Sequence, residues 1–263
     1  MKKRDRYGSW AVVTGASAGL GEEFARQLAA EGFNLFLVAR REDRLAAIQQ
    51  QLHAQHGIEV RFLAADLSSE GADAAVDDAT QDLDVGLFIN NAGFGYMGRF
   101  VRQDPSRLAS MVRLNCMAVM LLSHRFANRL LKRGGGGMII VASLAGFQAT
   151  PYMALYGATK GFDLLLGEGL SYELRGTGVD VLTLCPGATR TEFGRVSGST
   201  GKGSRMLPPP VVKAALRALG RRQVIVTGFS NKVVAFIDRL FTRRFVTASS
   251  AMALRGMVPP EER

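Results

Sequence analysis

The sequence contains little cysteine and little histidine. Only two of its 263 residues are cysteines, Cys116 and Cys185, and their spacing matches no disulfide framework. A disulfide-stabilised secreted scaffold is therefore excluded, and the composition is typical of a reducing compartment. Three histidines occur. Because His53 and His56 fall at a glutamine-rich helix end without acidic or cysteine partners, we predict no metal site.

A long hydrophobic segment is also lacking. No apolar run approaches the roughly 18 residues that a membrane-spanning helix needs. The basic N-terminus, residues 1–6, resembles the start of a signal peptide, but the apolar residues 10–13 lead directly into a glycine turn. This leaves no room for the apolar core of a signal peptide. We therefore expect a cytoplasmic protein that at most lies peripheral to a membrane.

Apolar residues make up 47% of the chain, enough to bury a substantial core. Short runs rich in Val, Ile, Leu and Phe predict strands at residues 10–14, 34–39, 60–64, 85–90, 138–143, 179–185 and 223–226. Longer amphipathic runs predict helices at residues 19–31, 42–56, 71–80, 105–132, 154–175 and 209–219. The glycines at 134–137 are interpreted as a loose turn.

The predicted strands are continuously apolar, which indicates burial on both faces. We therefore predict an α/β fold, a doubly wound parallel sheet flanked by helices (a Rossmann fold), in one domain over residues 1–263. Such sheets bind ligands at the carboxyl ends of their strands, where Gly15, Asn90, Ser143 and Pro186 fall.

Tyr156 and Lys160 stand four residues apart in a predicted helix. Positions i and i+4 share a helix face, so the Lys160 ammonium would lie beside the Tyr156 phenol and lower its pKa from the usual value of about 10. The glycine-rich turn at residues 14–21 can cradle a dinucleotide diphosphate with backbone amides. A proton donor beside a nicotinamide cofactor predicts reduction of a carbonyl group.

With these motifs the chain resembles the short-chain dehydrogenase/reductase family over about residues 9–228. The passage at residues 226–232 is similar, with lower specificity, to the branch that contains DltE-type oxidoreductases and the 3-ketoacyl-CoA and 17β-hydroxysteroid reductases. The matching motifs are Thr14-Gly15-x-x-x-Gly19-x-Gly21, Asp66-Leu67, Asn90-Asn91-Ala92-Gly93, Asn115, Ser143, Tyr156-x-x-x-Lys160 and Pro186-Gly187.

The resemblance implies a role for each catalytic residue. Ser143 would hydrogen-bond the substrate oxygen, and Tyr156 would be the general acid. Lys160 would hold the ribose hydroxyls of the cofactor, and Asn115 would position a water that links Lys160 to solvent. Asp66 would accept a hydrogen bond from adenine. The other implied cofactor contacts are Gly15, Gly19, Leu20, Gly21, Leu67, Asn90, Ala92, Gly93, Pro186, Gly187 and, for the nicotinamide carboxamide, Thr191.

The cofactor choice depends on the end of the second strand. An acidic residue there binds the ribose diol of NAD, whereas an arginine accommodates the 2′-phosphate of NADP. Here Ala39 takes the place of the acid, and Arg40 and Arg41 follow. Because a guanidinium pairs with phosphate in a bidentate manner, we predict NADP(H), with Ser17 as a further phosphate contact. The alternative is that both arginines are merely solvated at a helix start.

The substrate site is predicted to have two walls, residues 94–100 and 144–153, and a lid at residues 190–207. Both walls are apolar and aromatic, which suggests a small hydrophobic carbonyl compound or alcohol. The lid contains a polar, glycine-rich stretch at residues 197–203 that would close over bound ligand. These residues do not distinguish steroids, 3-ketoacyl thioesters, retinoids, sugars or xenobiotic ketones, the substrate classes that the resemblance implies.

The net charge of +10 lies entirely in the C-terminal part of the chain. Residues 1–188 contain 19 basic and 19 acidic side chains, whereas residues 189–263 contain 14 and 4. Beyond the core at 9–228, the extension at 229–263 includes a predicted amphipathic helix at 231–245. This helix would contact an anionic membrane, attract an anionic substrate such as a CoA thioester, or pack on its own or a partner subunit. No recognition motif or stacking aromatics indicate nucleic-acid binding.

We therefore predict an NADPH-dependent reductase of a hydrophobic ketone or aldehyde, or the reverse alcohol dehydrogenase. One alternative is a 3-ketoacyl thioester reductase. Another is a catalytically silent NADP(H)-binding sensor or scaffold, which is disfavoured because all four catalytic residues are present. The apolar surfaces at residues 117–122 and on the helix after Tyr156 exceed what the sheet can cover, so we expect a homodimer or homotetramer, as the resemblance implies.

Overall fold

The computed structural model describes residues 3–200, 205–238 and 240–259. Its strands are β1 (Trp10–Thr14), β2 (Asn34–Ala39), β3 (Val60–Ala64), β4 (Val85–Asn90), β5 (Gly136–Val141), β6 (Val179–Cys185) and β7 (Val224–Val226). Its α-helices are α1 (Lys3–Tyr7), α2 (Gly19–Ala30), α3 (Glu42–His56), α4 (Ala72–Asp78), α5 (Pro105–Val112), α6 (Val119–Arg133), α7 (Ala154–Glu173), α8 (Phe193–Val196), α9 (Pro208–Ala218), α10 (Phe229–Ile237) and α11 (Arg243–Arg255).

The strands form one parallel sheet in the order β3-β2-β1-β4-β5-β6-β7. The chain builds from β1 out to β3 and then returns to β4 on the other side of β1. The carboxyl ends of β1 and β4 therefore meet at the point where the winding reverses, which is where sheets of this kind bind ligands. This topology confirms the predicted doubly wound Rossmann fold.

Apolar residues cover both faces of the sheet. One face packs on α2, α3 and α9, with Phe24, Leu28 and Leu216 in its core. The other packs on α4 and α6, where Phe88 and Phe126 stack with their ring centroids 4.1 Å apart. Burial on both sides explains why the strands are continuously apolar.

Strand β5 starts and ends two residues earlier than the sequence indicated. Gly136 and Gly137 belong to the strand rather than to the predicted turn, which the preceding glycines form. A Cβ on Gly137 would stand 3.0 Å from the Leu219 side chain, so close packing of a neighbouring element explains glycine inside a strand. Ser143 consequently lies in the loop beyond β5.

The helix predicted at residues 105–132 is interrupted by a π-helical segment, Arg113–Ala118, between α5 and α6. Such segments are rare and are found frequently at functional sites. The segment contains Asn115, whose side chain is fully buried. The apolar periodicity of the sequence is nearly unchanged across such a short segment, which explains why the interruption was not predicted.

The helix predicted at residues 231–245 is two helices, α10 and α11. Thr242 forms the N-cap of α11, because its hydroxyl accepts a hydrogen bond from the Phe245 amide at 3.4 Å. Arg239 of the predicted helix and Lys202 of the predicted lid lie outside the described residues, as do 1–2, 201, 203–204 and 260–263. Of the helices that the structure describes, none combines the length and apolar character needed to cross a bilayer.

Candidate active site

The sheet topology brings the four predicted catalytic residues together at its carboxyl edge. Ser143 follows β5, and its hydroxyl accepts a hydrogen bond from the Ala145 amide at 3.1 Å. Tyr156 and Lys160 lie on the first two turns of α7 and are 8% and 5% exposed. A Cβ on Gly93 would stand 3.2 Å from Asn115 Oδ1 and 3.5 Å from Lys160 Nζ, so the loop after β4 approaches both side chains closely.

Lys160 is held by two acceptors. Its ammonium donates to the backbone carbonyl of Val141 at 2.8 Å and to Oδ2 of Asp163, also at 2.8 Å. Burial lowers the pKa of Lys160, but Asp163 more than compensates, so the pKa lies above its ordinary value. The residue is therefore a buried cation with a fixed position.

The environment of Tyr156 differs from the prediction in one respect. Burial raises the pKa of the phenol, whereas Lys160 and the Ser143 hydroxyl lower it and Asp163 raises it again. Lys160 acts in the predicted direction, but the pKa as a whole lies above its ordinary value because the ring is buried. The phenol is therefore in the form that can donate a proton.

Asp163 was not predicted as part of the site. It stands three residues after Lys160 on α7 and is completely buried, as the Lys160 partner in an ion pair. The available signal was an acidic residue within an otherwise apolar segment, residues 162–166, on the helix face shared with Lys160.

Asn115 holds the loop at the first substrate wall. Its Oδ1 accepts a hydrogen bond from the Phe94 amide at 3.1 Å, and its Nδ2 donates to the Phe94 carbonyl at 2.9 Å and to the Thr159 hydroxyl at 3.1 Å. Thr159 precedes Lys160 on α7. The side chain thus ties the π-helical segment to both the wall and the catalytic helix.

The glycine turn has the features expected of a diphosphate site. Gly15 and Gly19 have positive φ angles, which favour glycine. Ala18 at the N-cap of α2 offers no side-chain acceptor to the first amides of the helix, so these donors face the turn without a side-chain cap. The Thr14 hydroxyl accepts from the amides of Asn91 and Ala92 at 2.9 and 3.0 Å and thereby joins the ends of β1 and β4.

Of the two predicted phosphate-binding arginines, Arg41 reaches the turn. Its Nε and Nη2 lie 3.2 and 3.0 Å from the Ser17 hydroxyl, and its Nη1 donates to Glu192 at 2.7 Å. Arg44 donates to the other oxygen of Glu192 at 2.9 Å. Arg40 is largely exposed, and its Nη1 lies 4.0 Å from Asp66. The structure therefore brings Arg41 and Ser17 together and leaves Arg40 on the rim.

The other predicted cofactor contacts differ in how they are placed. Thr191 lies against the glycine turn, since a Cβ on Gly19 would stand 3.0 Å from it. Asn90 uses its side-chain amide inside the protein, donating to the Val119 carbonyl and the Ser123 hydroxyl. Its part in the site is to connect β4 to α6. The remaining members of the set lie in the first turn of α2 or in the loops that follow β3, β4 and β6: Leu20, Gly21, Leu67, Gly93, Pro186 and Gly187.

An apolar cluster forms the predicted substrate walls and includes two residues from the C-terminal tail. The first wall contributes Met97, and the lid contributes Phe193, whose ring centroid is 5.2 Å from that of Tyr156. Val258 is fully buried in the same cluster, and Met257 packs against it. The Met257 carbonyl accepts a hydrogen bond from the Thr200 amide at 3.0 Å. This contact joins the tail to the lid and could not be read from the sequence, because no local pattern specifies it.

Among the described residues, no group of three or more His, Cys, Asp and Glu side chains is arranged to hold a metal ion. The cysteines are unpaired thiols. Burial raises the pKa of Cys116 to about 11 and that of Cys185 to about 12. Neither thiol is therefore activated as a nucleophile.

Comparison with known proteins places this site among oxidoreductases. The profile of the short chain dehydrogenase family matches residues 9–200. The 7beta-hydroxysteroid dehydrogenase of Clostridium sardiniense is 32% identical over 235 residues, which cover 88% of this chain and 90% of that protein. The very-long-chain 3-oxoacyl-CoA reductase of Podospora anserina is 36% identical over 227 residues, which cover 84% of this chain and 66% of that protein.

A solved structure shows the same architecture. The short-chain dehydrogenase from Sphingobium yanoikuyae in complex with NADPH matches with a TM-score of 0.80 and 33% identity, covering 97% of this chain and 98% of that one. The likeness extends over nearly the whole chain and so includes most of the described part of the C-terminal extension.

Proposed function

The chain belongs to the short chain dehydrogenase family of oxidoreductases, and from this premise we propose that it reduces a bulky hydrophobic ketone with NADPH. The observation that carries the proposal is the arrangement around Tyr156: a buried phenol beside Lys160 and Ser143, facing an apolar cluster. A proton donor that is shielded from water and placed against an apolar wall suits the reduction of an apolar carbonyl compound.

The residues at the glycine turn fit NADPH. The first amides of α2 and the Gly15 turn would hold the diphosphate, and Arg41 with Ser17 would hold the 2′-phosphate. Support comes from the Sphingobium yanoikuyae structure, which is a complex with NADPH. When bound, the cofactor supplies a hydride to the carbonyl carbon.

The chain's own residues would handle the oxygen of the carbonyl group. Ser143 would donate a hydrogen bond to it, and Tyr156 would transfer its phenolic proton to it, leaving a phenolate that Lys160 stabilises. Asn115 would keep the wall at Phe94 and the helix at Thr159 in register with these groups. In the reverse reaction the phenolate would accept the proton of an alcohol.

Two relatives suggest the substrate class, since one is named a hydroxysteroid dehydrogenase and the other a 3-oxoacyl-CoA reductase. The apolar cluster at Tyr156 suits the ring system of a steroid or a comparably bulky ketone. A 3-oxoacyl thioester is the second candidate. It is favoured by a basic cleft of about 680 Å³ beside β7, whose lining includes Arg217, Arg221, Arg222, Lys232 and Phe236.

One exposed apolar surface bears on the oligomeric state of the protein. Met117, Met120, Phe162 and Leu165 are exposed on the π-helical segment, α6 and α7. We propose that they pair with a second copy of the chain, which would give the predicted homodimer or homotetramer.

A second exposed apolar surface lies on α10, where Phe229 and Phe236 are exposed near Lys232. This is the surface for which the sequence predicts contact with an anionic membrane, and that contact stays a prediction.

Replacing Tyr156 with phenylalanine tests the general acid. Tyr156→Phe keeps the ring and removes the proton donor, so we expect NADPH binding to survive and kcat to fall by at least ~10²-fold. A steroid ketone and a 3-oxoacyl-CoA should be assayed in parallel, because the substrate with the higher kcat/KM identifies the class. Tyr172→Phe, the same change at an exposed position of α7, is the control. Undiminished turnover in Tyr156→Phe would contradict the assigned role.

Replacing Arg41 with alanine tests the choice of cofactor. Loss of a charge-assisted phosphate contact should weaken NADPH binding by about ten- to a hundredfold and leave NADH binding unchanged. Arg44→Ala is the matched control, because it removes a different arginine contact of Glu192 without touching Ser17. Arg40→Ala should weaken NADPH binding less than Arg41→Ala, because Arg40 lies at the exposed rim of the site. Equal affinities of the wild type for NADPH and NADH would refute the proposal, and so would an Arg44→Ala effect as large as that of Arg41→Ala.

Shortening the C-terminus tests the substrate wall. Truncation after Gly256 removes Met257 and Val258, and the loss of this apolar surface should raise the KM of a hydrophobic ketone about tenfold without changing the affinity for NADPH. Truncation after Pro259 keeps both residues and serves as the control. If the two truncated proteins have the same KM, the tail is not part of the substrate wall.

A further inference from the structure

Asp163 is a buried carboxylate inside the candidate active site that no step described so far requires. Its Oδ2 lies 2.8 Å from Lys160 Nζ, and its side chain is completely inaccessible to solvent. No described residue donates a hydrogen bond to its Oδ1. The pair is formed by residues i and i+3 on α7, so both groups are carried by one rigid element.

Packing does not explain a carboxylate at this position. Burying a charge is costly, and replacing a buried ion pair by apolar residues of similar volume is often neutral or stabilising. The apolar side chains of Leu164 and Leu166, which follow Asp163 on α7, pack against the core. An aliphatic residue at 163 alone would leave the buried ammonium of Lys160 with the Val141 carbonyl but without a counter-ion, so the carboxylate must be explained by what it does to Lys160.

The Lys160–Asp163 pair is the source of charge beside Tyr156, as the groups packed around the pair show. Cys116 on the π-helical segment and Cys185 at the end of β6 face the pair, and burial keeps both thiols protonated well above neutrality. Glu168, one turn further along α7, faces Cys185. Asn115 and Thr159, which connect α7 to the π-helical segment, are uncharged.

We propose that Asp163 is a positioning residue that neutralises Lys160 and thereby keeps the Tyr156 phenol protonated, which favours reduction over alcohol oxidation. The proposal rests on the proposed function, in which Tyr156 is the general acid. Lys160 alone would stabilise the phenolate, whereas the neutral pair does so less. Asp163 exchanges no proton: the phenolic O–H bond breaks, an O–H bond forms on the carbonyl oxygen, and the ion pair stays intact.

Asp163 would also determine which donors remain for a ligand. Two of the three N–H groups of Lys160 are used by Asp163 and the Val141 carbonyl. The third is left for the cofactor ribose. Because Nζ is held from two sides, the direction of this donor is fixed before the cofactor binds.

The test measures the titration of Tyr156 directly in the cofactor-free protein. The chain has five tyrosines, and the tyrosinate absorbance of each protein minus that of the same protein with Tyr156→Phe isolates the one of interest. In Asp163→Asn, which is nearly isosteric and still offers Nζ an acceptor, we expect the pKa of Tyr156 to fall by about one pH unit or more. Glu173→Gln removes the same charge from an exposed position of α7 and should leave the titration unchanged.

Activity provides a second readout. The alkaline limb of the pH profile of kcat for ketone reduction should also move to lower pH in Asp163→Asn. In the oxidation direction the variant should be active at lower pH than the wild type. If Asp163→Asn does not fold, Asp163→Ser, which is smaller and also offers an acceptor, takes its place in both measurements.

An unmoved or raised Tyr156 titration in a folded Asp163 variant overturns the proposal, and so does an equal shift in Glu173→Gln. The absorbance measurement needs no substrate and no cofactor. It therefore gives its answer even if no ketone is reduced, in which case the proposed function fails while the effect of Asp163 on Tyr156 is still determined.

Discussion

The buried ammonium of Lys160 is the constraint around which the site is arranged. A cation with 5% exposure is stable only with close partners, and it has them in the end of β5 and in Asp163. These contacts fix α7 against the sheet and place Tyr156 one turn before the charge. The loop after β4 then passes close to Lys160, where a Cβ at position 93 would stand 3.5 Å from the ammonium nitrogen. The geometry around Tyr156 and the packing of α7 are thus specified by the same contacts.

The other half of the site lies beside β1, where the winding of the sheet reverses direction. Thr14 joins the ends of β1 and β4 through one hydroxyl, so the glycine turn and the loop toward Tyr156 are held in register. Arg41 extends this connection to the lid, since it contacts both Ser17 and Glu192. The glycine turn, the loop after β4 and the predicted lid are therefore connected by side chains at the carboxyl edge of one sheet.

Local patterns in the sequence were sufficient for the parallel sheet and for the pairing of Tyr156 with Lys160, because continuous apolar strands and i,i+4 spacing are properties of neighbouring residues. Asn115 and Ser143 were identified through the family resemblance, and the strand order required the structure. Local patterns failed where a contact between residues far apart in the sequence determines the structure. Gly136 and Gly137 looked like a turn but are strand residues packed against other elements. Asp163 contributes to the site through a buried ion pair with Lys160. Val258 contributes because it lies in the C-terminal tail that contacts the lid. That Arg41 rather than Arg40 contacts Ser17 depends on side-chain geometry that no local pattern specifies.

The proposed transfer of a hydride from NADPH to a bulky ketone is tested most directly with NADPH that carries two deuterium atoms at C4 of the nicotinamide, applied to a panel of steroid ketones and 3-oxoacyl thioesters. We expect the product alcohol to carry one deuterium on its carbinol carbon. An unlabelled alcohol would contradict hydride transfer at this site, as would the absence of any NADPH-dependent product across the panel.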